Sequence, residues 1–261
     1  MSKLLDMFKR AQRAQGVAGM GFLGKNRTEN KPRAAALIVE YSTIDAGSAE
    51  AAIKAGADGL LFPWDGADTA SLDTLKKGIE AAKGSKENVV CGLHMSHNWD
   101  TIERENLEEL KEVGVNYIVL PLQAPARLLA THVKDLDMVV TVPMREGDMY
   151  PIFIRNLTAF DTITAIRLDF DLVKDMGSMS IEDVIQYRAV REAVRFPAII
   201  NIPGDVSEDD AFTLSTLGVQ ALVLEASNNE ETTKTQIKHV SELLEKVYET
   251  QKDDSASMGM Q

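Results

Sequence analysis

The chain has 261 residues and a formal net charge of −12, with 44% hydrophobic and 26% charged residues, the balance of an ordinary globular protein. The excess of acid argues against a nucleic-acid partner and against an anionic membrane surface. No apolar run reaches the ~20 residues that would span a bilayer.

Leu4, Leu5, Phe8 and Ala11 recur at helical spacing, so residues 2–15 read as an amphipathic helix ahead of the first strand. Its basic character and lack of an apolar core set it apart from a secretory signal. Such an extra helix closes one end of a barrel or packs on a second copy; the second use predicts a homodimer. Residues 16–33 carry Gly16, Gly19, Gly21 and Gly24 and read as an irregular segment. With no strand before these glycines and no helix directly after, they do not form a dinucleotide fingerprint.

Eight short apolar runs follow: Ala34–Val39, Gly59–Phe62, Val89–Leu93, Tyr117–Leu120, Met138–Val142, Ala165–Leu168, Ala198–Ile202 and Ala221–Leu224. A helical pattern follows each, at residues 46–55, 69–83, 101–112, 125–133, 150–158 and 180–194, then from Ser207, then at 232–251. Ser180 and Ser207 are good N-caps, each with an acid three residues on, and Gly56 suits a left-handed helix end. Strands alternating with helices imply βαβ units and a parallel sheet. Eight units in about 250 residues predict an α/β fold of one closed (β/α)8 TIM barrel with an added N-terminal helix. No internal linker stands out, so residues 1–251 read as a single domain and residues 252–261 as a disordered polar tail. The single cysteine, Cys91, lies inside an apolar run and reads as a buried, inert thiol. It excludes an internal disulfide framework and suits a reducing cytoplasm.

Pro197 to Asp210, followed by Leu217 to Ser227, resembles the last quarter of phosphate-binding TIM barrels. The ribulose-phosphate-binding group, with its indole-glycerol-phosphate synthase and tryptophan synthase α relatives, shows this cadence, as do flavin-dependent barrel enzymes. Ala52–Phe62 is similar to their helix-to-strand joints. The cadence covers most of the chain, in motifs that many barrel families share. The resemblance implies a phosphate site made by backbone amides after strands seven and eight and at a short helix N-terminus, with Gly204 and Ser227 at the matching places. The chain departs from the pattern at two points: Glu225 stands where a glycine is usual, and Asp205 follows Gly204. Two carboxylates there repel a phosphate dianion.

In this fold chemistry sits at the C-terminal ends of the strands. That rule selects Glu40 and Tyr41, Trp64 and Asp65, His94, Ser96 and His97, Gln123, Arg145, Asp169 and Asp171, Asn201, Gly204 and Asp205, and Glu225, in chain order. Acids dominate this mouth. Converging carboxylates raise one another's pKa, so that one serves as a general acid or base. They also suit Mg²⁺ or Mn²⁺, with Asp169, Glu40 and Glu225 as candidate ligands. Equally, each acid could simply cap a helix or pair with a loop amide. Asp169 and Glu40 are the candidate bases, His94 the partner acid and Arg145 the anion clamp. Gln123, Asn201, Gly204 and Ser227 are candidate substrate contacts.

His94 and His97 form a close pair but lack the further ligands zinc wants. No lysine ends a strand, which argues against a Schiff-base aldolase; Lys174 lies in the stretch 170–179, long enough for a lid. Two readings follow. One is a lyase, isomerase or synthase acting on a small carboxylated or phosphorylated metabolite. The other is a non-catalytic barrel that binds a ligand or serves a structural role.

Overall fold

The computed structural model describes residues 2–13, 31–65, 69–86, 88–95, 97–144, 149–169 and 179–258. Eight strands, β1 (Ala36–Glu40), β2 (Gly59–Trp64), β3 (Val90–Met95), β4 (Tyr117–Pro121), β5 (Asp137–Pro143), β6 (Ile163–Asp169), β7 (Ala198–Ile202) and β8 (Ala221–Glu225), pair in chain order and close into a barrel. Every pairing is parallel, including the closing one that sets Ala36 beside Ala221 and Glu40 beside Glu225. The chain is a TIM barrel, as the alternation predicts.

Helix α1 (Lys3–Ala11) precedes the barrel, and α2 (Ala46–Ala55), α3 (Thr69–Ser85), α4 (Arg104–Val113), α5 (Arg127–Ala130), α6 (Tyr150–Ile154), α7 (Ile181–Val194), α8 (Glu208–Thr216) and α9 (Glu230–Met258) follow successive strands. Ser180 and Ser207 form capping boxes with Asp183 and Asp210, each hydroxyl accepting from the N3 amide at 3.2 Å. Gly56 ends α2 at φ 120°, and its N–H reaches back to the carbonyls of Ala52 and Ile53. Helix α9 continues to Met258 instead of ending at Gln251, so residues 252–258 of the expected loose tail prolong a helix, and 259–261 lie outside the described residues.

The strands are apolar on both faces because both are covered. Leu37, Val39, Leu60, Phe62, Cys91, Leu93, Ile118 and Leu120 face the helices. Ile38, Leu61, Val90, Tyr117, Val119, Val139, Ala165, Ile199 and Val223 fill the barrel interior. Burial in the outer layer pushes the Cys91 thiol up to about 12, so it stays protonated and inert. Inside, the Tyr117 ring lies against Gly92, where a Cβ would overlap the ring.

The same interior cluster includes Leu4, Met7, Phe8 and Ala11 of α1, which plugs the N-terminal end of the barrel. Ser2 caps the helix through the Leu5 amide at 3.1 Å and donates to Asp137 at 2.7 Å, tying α1 to β5. The helix stops at Ala11, short of Gln15. Because its apolar face is buried within its own barrel, it offers no apolar face to a second copy, and the reason for expecting a dimer through α1 falls away. The irregular segment at 16–33 lies outside the described residues up to position 30. No helix among the described residues is long and apolar enough to cross a membrane.

Candidate active site

The strands run a residue or two beyond the apolar runs, and this extension builds the site. Side chains alternate between the two faces of a strand. Glu40 therefore shares the interior face with Ile38, His94 with Gly92, Thr141 with Val139, Arg167 with Ala165 and Asn201 with Ile199. A polar layer thus rests on the apolar filling at the mouth. Tyr41 and Trp64 have the other parity and pack in the helix-facing core, where Tyr41 stacks on Phe62 with ring centres 5.8 Å apart.

Four side chains of that layer are bonded into one network. Glu40 Oε1 lies 2.8 Å from His94 Nδ1, and Glu40 Oε2 accepts from Arg167 Nη2 at 2.6 Å. Arg167 Nη1 donates to Glu40 Oε1 at 3.2 Å, making the pair bidentate, and Arg167 Nε donates to Asn201 Oδ1 at 2.9 Å. Burial alone would raise the Glu40 pKa. The His94 hydrogen bond and the Arg167 charge outweigh it and hold the carboxyl below its ordinary range. An ionised carboxylate can only accept, so His94 Nδ1 carries the hydrogen. Nε2 is then the ring's basic nitrogen. The 3.5 Å approach of Arg167 Nη1 to Nδ1 sets donor against donor and forms no bond in this tautomer. His94 is 36% exposed while Glu40 and Arg167 are 13% and 9%, so solvent or a ligand reaches the imidazole and not its supports. Thr141, in register with Arg167, has a buried hydroxyl with no hydrogen-bond partner among the described residues.

Of the residues singled out from sequence, the structure brings together Glu40, His94 and Asn201. Asp169 ends β6 exposed; its carbonyl accepts from the Met144 amide, and its side chain makes no ion pair or hydrogen bond among the described residues. Gln123 is exposed in the turn after β4, and His97 is exposed beyond β3. Arg145, Ser96, Asp171 and Lys174 lie outside the described residues, as does the lid stretch apart from Met179. The expected cation site at Asp169, Glu40 and Glu225 is corrected. Among the described residues, no three His, Cys, Asp or Glu side chains are grouped to hold a metal. Both Glu40 oxygens face Arg167 and His94, and Glu225 is exposed. Sequence reasoning missed Arg167 and Thr141. For Arg167 the signal was its parity, two residues before Asp169 in a strand otherwise apolar apart from Thr164.

In the region matching a phosphate loop, part of the polar backbone is bonded within the chain. The Ser227 amide donates to Thr233 Oγ1 at 3.0 Å and the Asn229 amide to Ser227 Oγ at 3.3 Å. Asn229 Oδ1 caps α9 by accepting from Glu231 at 2.9 Å, and Glu230 and Glu231 place acid in the first turn. Gly204 lies against the side chain of Gln236. The Ser227 and Asn229 amides, at the position of the expected phosphate cradle, are thus bonded within the chain.

No family model matches the chain, and no curated protein matches its sequence. Solved structures do match the fold. A mutant tryptophan synthase alpha-subunit from Pyrococcus furiosus aligns at 15% identity over 81% of this chain and 98% of its own, with a TM-score of 0.60. Phosphoribosyl anthranilate isomerase from Thermus thermophilus aligns at 13% identity over 79% of this chain and 97% of its own, with a TM-score of 0.55. An HpcH/HpaI aldolase from Desulfitobacterium hafniense DCB-2 aligns at 11% identity over 77% and 90%, with a TM-score of 0.52. At these identities the likeness is one of fold, and it is the barrel fold that the sequence cadence predicts.

Proposed function

We propose that the chain is a barrel enzyme of the lyase, isomerase or synthase kind, moving a proton on a small carboxylated metabolite at the strand ends. The observation that carries this reading is the 2.8 Å Glu40–His94 pair beneath the mouth. Glu40 fixes the imidazole in one tautomer and stabilises the imidazolium, as the acid does in a carboxylate–histidine pair. His94 Nε2 takes a proton from the substrate and returns it. This exchanges the roles read from sequence: Glu40 orients, and His94 is the base. Arg167 positions Glu40. Asn201 holds Arg167 in turn, through its Oδ1. That the barrel neighbours include an isomerase and an aldolase supports chemistry of this kind, and the bonded Ser227 and Asn229 amides, with Glu230 and Glu231 beside them, favour a carboxylate over a phosphate ester.

The test is proton exchange in D₂O, followed by NMR, across a panel of small keto and hydroxy acids. Exchange at a carbon next to a carbonyl is expected for at least one member. It should fall about 10²–10⁴-fold in His94→Gln. Absence of exchange across the panel would favour the second reading, a barrel that binds its ligand without turning it over. That reading is supported by the consumed amides of the phosphate loop.

A further inference from the structure

The pole opposite the mouth gathers basic side chains on an acidic chain. Two adjoining clefts around α1 share Arg10, Arg13 and Asn88, and together they are lined by eight basic side chains against two carboxylates. This stands on a chain whose net charge is −12. The larger cleft encloses about 340 Å³ and is ringed by Lys3, Lys9, Arg10, Arg13 and Lys83, with Asp6 as its acid.

Part of this charge serves the fold. Arg33 and Lys86 both pair with the buried Asp58, at 2.5 and 3.4 Å. The rest does not. Lys3, Lys9, Arg13 and Lys83 make no ion pair among the described residues. Arg10 is fixed by the carbonyls of Asp6 and Asn88, at 3.3 and 3.1 Å, which orient its guanidinium without neutralising it. Helix dipoles favour cations in the last turns of α1 and α3, where Lys9, Arg10 and Lys83 lie. They do not account for Lys3, which opens α1, nor for the convergence of both helices' cations on one cleft. Like charges held together repel, and a bound anion relieves that repulsion.

We propose that this cleft is an anion site for a chain of two or three phosphoryl groups. The volume lies at the lower end of the ligand-site range of about 300–1,000 Å³. Its two apolar lining residues, Val89 and Val90, are almost wholly buried, so the cleft presents no hydrophobic side chain of its own to a nucleoside. Recognition therefore rests on the phosphates, whether they belong to inorganic polyphosphate or to a nucleotide. The site is separate from the mouth and does not depend on the reaction carried out there.

Calorimetric titration of the full chain with inorganic triphosphate tests it, with ATP as the second arm. Saturable binding below millimolar concentration is expected, weakening steeply between 50 and 200 mM salt. ATP should bind no more than a few-fold tighter than triphosphate; a larger preference would show that a nucleoside pocket carries the affinity and would overturn the assignment. Lys9→Ala/Arg13→Ala/Lys83→Ala should weaken triphosphate at least about tenfold, and the single charge reversal Lys9→Glu should weaken it in a chain whose far-UV spectrum is unchanged. His94→Gln, at the far pole, should leave it intact. No binding at millimolar triphosphate, binding that survives the triple substitution, or binding lost in His94→Gln would each overturn the proposal.

Discussion

Arg167 Nη2 lies 2.6 Å from Glu40 Oε2, and the contact crosses the barrel interior, because β6 and β1 are not neighbours in the sheet. Both side chains are largely buried, so each depends on the other for neutrality. Removing one partner of a buried pair costs about 3–5 kcal/mol, whereas replacing both with apolar groups is close to neutral. Arg167→Met should lower the unfolding free energy by that amount in urea, and Glu40→Leu/Arg167→Met should recover most of it. A single variant as stable as the wild type would show that water screens the pair.

The depressed Glu40 pKa has a pH signature of defined sign. Its folded value lies below the ordinary 4.5, so the stabilisation is fully present above that pH and is lost as the pH falls through the folded value. His94→Ala removes the largest of the interactions that lower it. In that variant the Glu40 carboxyl should titrate at higher pH, and the acid-side loss of stability should begin earlier. Carbon-13 NMR of labelled glutamate reads the titration; an unchanged Glu40 curve would contradict the network.

Gly92 has no room for a methyl group beside the Tyr117 ring. Gly92→Ala should cost about 1–3 kcal/mol through overpacking of the interior. Coupling to Tyr117 is the specific signature: on a Tyr117→Leu background the same change should cost less. Equal losses on both backgrounds would place the strain elsewhere.

Leu4 is wholly buried in the plug. Leu4→Ala should lose about 2–5 kcal/mol, measured by chemical denaturation. A loss under about 1 kcal/mol would mean that α1 detaches without disturbing the barrel.

The barrel is legible in sequence because eight apolar runs separated by helical patterns admit few topologies, and parallel strands buried on both faces read as continuous apolar stretches. Glu40 and His94 were legible because each directly follows such a run. Arg167 was hidden by the same habit: it sits inside a run, and only counting alternate residues inward from Asp169 shows that it faces Glu40. Asp169 was misleading for the complementary reason. It shares that parity but lies one step further out, exposed, beyond reach of the network. The α1 plug was legible as an amphipathic helix. Its partner was not, since the apolar lining of the barrel's far end comes from strands scattered along the chain.

Ser2 donates to Asp137, 135 positions later in the chain. During synthesis α1 leaves the ribosome ahead of the whole barrel, yet the Ser2 hydroxyl has no Asp137 to donate to until β5 has emerged, roughly 7–27 seconds later at about 5–20 residues per second. Its apolar face waits longer still, because Ala221 and Val223 of β8 are among the residues it joins. A contact of such high sequence separation forms late and slowly. A helix made before the barrel is therefore among its last pieces seated, and through that interval Leu4, Met7 and Phe8 lack their buried partners.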